Sequence, residues 1–189
     1  GSASRPYQET DATAPINVYG ESKLAGELAI RSSSCSHLII RTSWVYSAHG
    51  NNFLLTMLRL ASQRPELGVV SDQTGCPTWA RNLARASLQI LNSLQTAEDW
   101  QTQGGTYHYC DATVTTWYDF ALRIFSTAAE LGILPRAPEL KAIASNDFPQ
   151  AATRPRFSVL DSGKVHKQFS VVIPSLDDSL RLCLNDYWK

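Results

Sequence analysis

The sequence has no surplus of charge of either sign and no long apolar run. Its 189 residues contain 17 Lys and Arg and 17 Asp and Glu, which gives a formal net charge of zero at pH 7 with neutral His. Surfaces that bind nucleic acids or membranes usually carry a basic surplus or a run of like charges. A membrane-spanning helix needs roughly 20 consecutive apolar residues. We therefore expect neither a nucleic-acid partner nor a membrane partner.

Cysteine is scarce, and its spacing is not that of a metal site. The four cysteines lie at positions 35, 76, 110 and 183, without the C-x-x-C or Cys/His spacing typical of zinc ligands. A chain of this length can bury a sizeable core and needs no disulfide for stability. We expect four free thiols, no metal site and a cytoplasmic protein.

A glycine-rich phosphate-binding turn is also missing. Neither G-x-G-x-x-G nor G-x-x-G-x-x-G occurs, although such turns place backbone N–H groups and a helix N-terminus around a pyrophosphate. The pair Gly104-Gly105 leads into a strand-like segment, which is the wrong context. The main part of a dinucleotide site is therefore absent from these residues.

A tyrosine and a lysine near the start of the chain carry the clearest chemical signal. Pro15 and Asn17 are typical of a helix start, and the apolar spacing that follows predicts a helix to about Ser32. Tyr19 and Lys23 then lie one turn apart on the same face. A neighbouring ammonium favours the phenolate form of tyrosine, which suits proton transfer to an oxygen that gains charge as hydride reaches its carbon. An ordinary exposed pair of helix residues is the alternative for so short a motif.

The residues around this pair resemble a known family. The string YQETDATAPINVYGESKLAGE, at residues 7–27, is similar to the extended short-chain dehydrogenase/reductase family. Further matches follow in the expected order across nearly the whole chain: RTSWVY at 41–46, GNNF at 50–53, DQTGCPT at 72–78, and Arg154-Pro155 ahead of Ser158.

The resemblance implies an α/β fold, namely the C-terminal part of a Rossmann-like doubly wound parallel sheet with a smaller α/β substrate-binding domain. Residues 1–104 would hold the remaining Rossmann-like part, and residues 105–189 mainly the substrate-binding domain. In the family, the glycine-rich turn lies upstream of the tyrosine. We therefore expect a chain that lacks most of its cofactor site and is inactive alone.

The implied reaction is hydride transfer from NADPH or NADH to the C4 carbonyl of dTDP-4-dehydro-L-rhamnose. By resemblance, Tyr19 protonates the forming alkoxide, and Lys23 favours the phenolate and holds the nicotinamide ribose. Ser43 would lie beside the nicotinamide.

The substrate contacts are also implied by the resemblance. Trp44 would line the pocket beside the sugar, or else be a core aromatic. The loop at residues 73–78 would hold the nucleotide end, with Gln73 and Thr78 as its contacts. Asn52 is either a substrate contact or a helix cap. Arg154 offers paired donors to the diphosphate, or is an ordinary surface arginine.

Periodicity predicts the remaining elements. Short strands are expected at 37–42, 67–72, 105–110 and 139–143, and helices after Asn52, at 78–94, at 117–131 and after Ser175. The helix at 78–94 is expected to bury Leu83, Ala84, Leu88 and Leu91, and residues 98–103 are expected to form a polar loop. His108 is expected to be structural.

Two other functions use the same features. A nucleotide-sugar epimerase or dehydratase has the same Tyr/Lys pair, although the RTSWVY and DQTGCPT strings argue against it. A non-catalytic nucleotide-binding regulatory homologue is the other alternative, and the presence of Tyr19 and Lys23 argues against that. The dTDP-sugar is the expected partner, together with a second copy in a homodimer that covers an open sheet edge.

Overall fold

The structure is a computed structural model that describes residues 3–148 and 152–188, and the side chain of Trp188 lies outside the described part. The helices are α1 (Val18–Ser32), α2 (Phe53–Ala61), α3 (Ala80–Ser93), α4 (Ala97–Gln103), α5 (Trp117–Glu130), α6 (Gly163–Phe169) and α7 (Leu176–Trp188). The strands are β1 (Leu38–Arg41), β2 (Val45–Tyr46), β3 (Glu66–Val70), β4 (Thr74–Gly75), β5 (Thr78–Trp79), β6 (Gly105–His108), β7 (Thr115–Thr116) and β8 (Glu139–Ile143).

Most of the strand pairs are parallel, as the resemblance implies for a Rossmann-like sheet. β1 pairs with β6, β2 with β5 and β3 with β8, all in parallel, whereas β4 and β7 pair antiparallel. The predicted strand at 139–143 is confirmed as β8, in register with β3 from Glu66↔Glu139 to Val70↔Ile143. The β1–β6 pair joins residues on either side of position 104, so the chain is interleaved there.

Helix α1 begins and ends as predicted but is only lightly packed. Asn17 caps it, because its side-chain Oδ1 accepts from the backbone N–H of Gly20 at 2.8 Å. None of its residues is buried, and Leu24 and Glu27 are half-buried. The helix therefore depends on a few polar contacts to stay against β1.

Two clusters of buried side chains form the core. The larger lies where α2, α5 and α7 pack with β3, and the helical spacing of Phe120, Ile124 and Ala128 in α5 puts all three side chains in it. Its members include Phe120, Ile124, Ala128, Leu176, Leu180, Cys183 and Leu184, which are all inaccessible to solvent. The second cluster packs α3 and α6 against β6 through Ile90, Tyr107, Val165 and Phe169, among others.

The predicted inner face of α3 is wrong. The helix begins at Ala80 because Thr78 and Trp79 pair with β2, and it buries Asn82, Ala86 and Ile90. Leu88 and Leu91 are 61% and 44% exposed. The reason is polar. Asn82 donates to the buried carboxylate of Asp111, and this contact directs the Asn82 side of the helix, and not the side with Leu88 and Leu91, towards the core.

The predicted loop at 98–103 is also wrong, because these residues belong to α4. Thr96 and Asp99 form a capping box, in which the Thr96 hydroxyl accepts from the Asp99 N–H at 3.1 Å and the Asp99 carboxylate accepts from the Thr96 N–H at 2.8 Å. This reciprocal cap stabilises a short helix whose composition is polar. Among the helices described, none is both long and apolar enough to cross a membrane.

Candidate active site

Tyr19 and Lys23 lie together on the open side of α1. The Lys23 ammonium nitrogen is 5.4 Å from the centroid of the Tyr19 ring, and Tyr19 is 71% exposed. The predicted placement of both residues on one helix face is confirmed. An exposed phenol beside an ammonium is free to meet a ligand that approaches this side of the helix.

A single segment links the start of α1 to the loop at residues 73–78. The Asn17 side-chain N–H donates to the carbonyl of Thr153 at 2.8 Å, and Arg154 follows as an exposed residue. Further along, the Thr74 N–H donates to the carbonyl of Arg156 at 2.8 Å, and the Ser158 N–H donates to the carbonyl of Thr74 at 2.9 Å. The segment 153–158 therefore connects the start of the helix that carries Tyr19 and Lys23 with the loop at residues 73–78.

Trp44 lies at the end of β1, where its backbone has a positive φ of 44°. Its indole stacks on that of Trp117, with centroids 3.6 Å apart and planes 9° from parallel. Phe53 packs against the Trp117 ring with centroids 4.6 Å apart. The sequence reading missed Trp117, because an aromatic residue in the first turn of an amphipathic helix is usually a core residue.

Gln73 is buried, and both ends of its amide are bonded. Its Oε1 accepts from Trp117 Nε1 at 3.2 Å, and its Nε2 donates to the Ser145 hydroxyl at 2.9 Å. The same hydroxyl donates to Asp72 at 2.6 Å, and the Ser145 backbone N–H donates there at 3.0 Å. The hydrogen bond from the Ser145 hydroxyl holds the pKa of Asp72 below its ordinary value.

Thr78 and Asn52 also have structural partners. Thr78 is inaccessible to solvent, and its hydroxyl donates to the carbonyl of Cys76 at 3.3 Å. Asn52 caps α2, where it accepts from the Leu55 N–H at 3.2 Å and donates to the carbonyl of Ser47 at 2.9 Å. The structure thus confirms Asn52 as a helix cap.

Ser43 tests whether the site suits a nicotinamide cofactor. Its hydroxyl is buried at the carboxyl end of β1, and within the described residues it has no hydrogen-bond partner. A buried hydroxyl without a partner costs about 1–3 kcal/mol, which a bound polar group would recover. The free hydroxyl of Ser43 and the exposed ammonium of Lys23 fit the amide and the ribose of such a cofactor.

Asp111 is a buried carboxylate that the sequence reading did not single out. It accepts from the backbone N–H of Trp79 at 3.1 Å and from the Asn82 amide at 3.1 and 3.2 Å. Burial raises its pKa to about 6. Asn82 also donates to Ser179 at 2.8 Å, so the hydrogen-bond network around Asp111 joins β5, α3 and α7.

His108 is held in a structural setting at the end of β6. Its Nδ1 is 3.0 Å from the carbonyl of Tyr7, and its backbone N–H donates to Glu9 at 2.8 Å. Burial lowers its pKa. The contacts fix the segment before α1 against β6. Within the described ranges, no group of three or more His, Cys, Asp and Glu is arranged to hold a metal ion.

Comparison with known proteins gives a consistent result. A family model described as the RmlD substrate binding domain matches residues 1–188. The dTDP-4-dehydrorhamnose reductase of Escherichia coli K12 is 42% identical over 186 residues, which are 98% of this chain and 61% of that protein. The chain thus spans about three fifths of that relative's length.

Two solved structures show the same fold. A dTDP-4-dehydrorhamnose reductase from Clostridium acetobutylicum superposes with a TM-score of 0.86 at 31% identity, over all of this chain and 62% of the other. The enzyme from Bacillus anthracis, in complex with NADP, gives a TM-score of 0.81 at 32% identity, over 96% of this chain and 59% of the other.

Proposed function

The chain belongs to the RmlD substrate binding domain family, and from this premise we propose that it is the catalytic-tyrosine and sugar-binding part of a dTDP-4-dehydrorhamnose reductase. The reaction is reduction of the C4 carbonyl of dTDP-4-dehydro-L-rhamnose to give dTDP-L-rhamnose. The observation that carries the proposal is the exposed Tyr19–Lys23 pair on α1, in a chain 42% identical to the Escherichia coli reductase.

The catalytic roles follow from where charge develops. When bound, NADPH or NADH supplies the hydride, and the C4 oxygen then gains negative charge. Tyr19 donates its phenolic proton to this oxygen, and Lys23 stabilises the phenolate that remains. Lys23 also binds the nicotinamide ribose, and the free hydroxyl of Ser43 binds at the nicotinamide. The NADP complex of the Bacillus anthracis structure supports this choice of cofactor.

The substrate is held by residues of the segment 153–158 and of the elements beside it. Trp44 lies beside the sugar, and the guanidinium of Arg154 binds the diphosphate, because its planar donors suit phosphate oxygens. Gln73, Thr78 and Asn52 contribute by ordering the loop and the turn around the nucleotide sugar. Support for this indirect role is that the polar atoms of each already bond to the protein.

The rest of the cofactor site belongs to the part of the longer reductases that this chain does not match. Residues 1–104 then complete the nucleotide-binding domain, and residues 105–189 mainly form the substrate-binding domain. We also infer that the chain works in the cytoplasm and pairs as a homodimer. By itself it binds the dTDP-sugar but does not turn it over.

The test is an activity assay on two proteins. One is the 189-residue chain, and the other is a chimera in which the unmatched part of the Escherichia coli reductase is joined to it. With dTDP-4-dehydrorhamnose and NADPH, we expect turnover by the chimera alone. Turnover by the chain alone would contradict the placement of the cofactor site elsewhere.

The same assay separates the alternatives. Interconversion of the sugar without oxidation of NADPH would indicate an epimerase. A correctly folded chimera that binds dTDP-rhamnose without turnover would indicate a non-catalytic nucleotide-binding protein.

A further inference from the structure

We propose that Trp117 is a positioning residue which, together with Gly75, clamps the Trp44 indole so that its rim, and not its ring face, meets the substrate. The assignment rests on the proposed function, since it concerns the wall beside the sugar. It changes the kind of contact expected there, from stacking on an aromatic face to a contact with the edge that carries the indole N–H.

Trp117 covers one face of Trp44. A centroid separation of 3.6 Å with planes 9° from parallel means that the two ring systems overlap almost completely. No ligand fits between them, because this separation is already van der Waals contact.

Gly75 covers the opposite face. A Cβ built on Gly75 would overlap Cε2 of Trp44 and lie 2.7 Å from both Cζ2 and Nε1. Since the distances to these two flanking atoms are equal and longer than that to the atom between them, the Cβ would stand over the ring and not beside it. A position between the two rings would bring it closer to Trp117 than to Trp44, because the ring centroids are only 3.6 Å apart, but its three nearest atoms all belong to Trp44.

The backbone of Trp44 is consistent with a side chain forced into one place. A φ of 44° is unusual for a bulky residue and costs on the order of 1 kcal/mol. Such a conformation persists only where the surroundings determine it. Here the two surfaces that enclose the indole supply that constraint.

Trp117 is itself held in place. Its indole N–H donates to Gln73, whose amide is bonded to Ser145, and Phe53 packs against its ring. The hydrogen bond fixes rotation of the ring in its plane, which stacking alone would not do. The clamp therefore reaches from the capped start of α5 to the loop at residues 73–78.

The rim of Trp44 remains available. Trp44 is half-buried, so part of its side chain is open to solvent, and its Nε1 has no hydrogen bond to any described residue. Since an indole N–H only donates, it suits a hydroxyl or carbonyl oxygen of the sugar.

The clamp can be tested on this chain without ligand. In NMR spectra, a stacked ring shifts the indole protons of Trp44 upfield. Trp117→Phe keeps a stacking ring and should keep most of this shift, whereas Trp117→Leu should abolish it. Gly75→Ala should disturb the same protons from the other face. Its control is Gly26→Ala, because a Cβ there meets no atom within 4 Å. Trp44 protons unaffected by Trp117→Leu would overturn the clamp.

The consequence for the substrate is tested by kinetics on the chimera. Trp117→Leu should lower kcat roughly 10–100-fold, because a misplaced wall misaligns the sugar, and Trp117→Phe should restore most of it. Trp44→Phe has a ring face but no N–H, and it should raise KM. A Trp44→Phe chimera with unchanged kinetic constants would overturn the rim contact.

The two proposals fail in different ways. If the unsubstituted chimera reduces no dTDP-sugar, the proposed function fails, and the ring-current shifts still decide whether Trp117 holds Trp44. If the chimera is active and Trp117→Leu has unchanged kcat and KM, the positioning role fails and the proposed function stands.

Discussion

Glu27 on α1 accepts two hydrogen bonds from the guanidinium of Arg41 at the end of β1, 2.7 Å from Nε and 2.6 Å from Nη2. Both side chains are mostly buried, whereas no residue of the helix is fully buried. This bidentate, largely buried pair therefore ties the helix of Tyr19 and Lys23 to the sheet.

Replacing Glu27 by Gln should destabilise the chain by about 1.5–3 kcal/mol, because Arg41 then loses a charged partner. The measurement is urea unfolding at pH 7. Glu21→Gln is the matched control, because Glu21 is exposed on the same helix.

The Glu27 effect should also depend on pH. Hydrogen bonds from Arg41 hold the pKa of Glu27 below its ordinary value of 4.5, against the opposing effect of burial. For a carboxyl with a lowered pKa, stability is present above the ordinary value and is lost as pH falls through the folded value. The difference in free energy of unfolding between wild type and Glu27→Gln should stay constant above this pH range and disappear below it. A difference that stays constant down to pH 3 would argue against the ion pair.

Asp111 should have the opposite pH dependence. Burial raises its pKa from 3.8 to about 6, so its contribution to stability is full below the ordinary value and is lost as pH rises through about 6. The loss is on the order of 2–3 kcal/mol. Asp111→Asn should remove this slope from unfolding curves measured between pH 4 and pH 7. Parallel curves for the two proteins would show that Asp111 is ionised throughout.

Tyr19→Phe should impair catalysis without changing the stability of the fold. Because Tyr19 is 71% exposed, the change should alter the free energy of unfolding by less than about 0.5 kcal/mol. In the chimera, kcat should fall roughly 10²–10⁴-fold, since the proton donor is lost. Tyr187→Phe, at another exposed tyrosine, should leave both quantities unchanged. Full activity of the Tyr19 variant would remove Tyr19 from the mechanism.

Asn52→Ala should cost about 1 kcal/mol of stability, because the N-cap of α2 is lost. Asn52→Ser restores a capping oxygen and should recover part of this loss. Asn51→Ala tests the exposed neighbour and should have little effect. Thermal unfolding of the three variants makes the comparison; equal loss from Asn51→Ala and Asn52→Ala would speak against a specific cap.

Thiol titration should find one fast cysteine in the folded chain. Cys35 is exposed, whereas Cys76, Cys110 and Cys183 are buried. Burial also raises the pKa of Cys183 to about 12, so this side chain stays protonated, and a protonated thiol is unreactive. Cys35→Ser should remove the fast phase with Ellman's reagent, and denaturant should release the other three. A fast phase that survives Cys35→Ser would show that one of the buried thiols opens to solvent.

The sequence predicted the features that depend on neighbours along the chain. The cap at Asn17 and the shared face of Tyr19 and Lys23 follow from one helical turn. The buried spacing of α5, from Phe120 to Ala128, follows from a strong apolar period. The face of α3 did not follow, because the buried Asn82 has its partner, Asp111, 29 residues further along the chain, where no local pattern reaches.

By itself, therefore, the sequence determined the longer strands, five of the helices, the family and the Tyr/Lys pair, since these depend on short-range spacing and on matched strings. Only the tertiary structure decided that Gly75 and Trp117 enclose Trp44 and that Arg41 holds α1 in place. Such contacts join residues distant in the chain, and their geometry is set by how strands and helices pack. Sequence spacing does not encode which part of the Trp44 ring stays accessible.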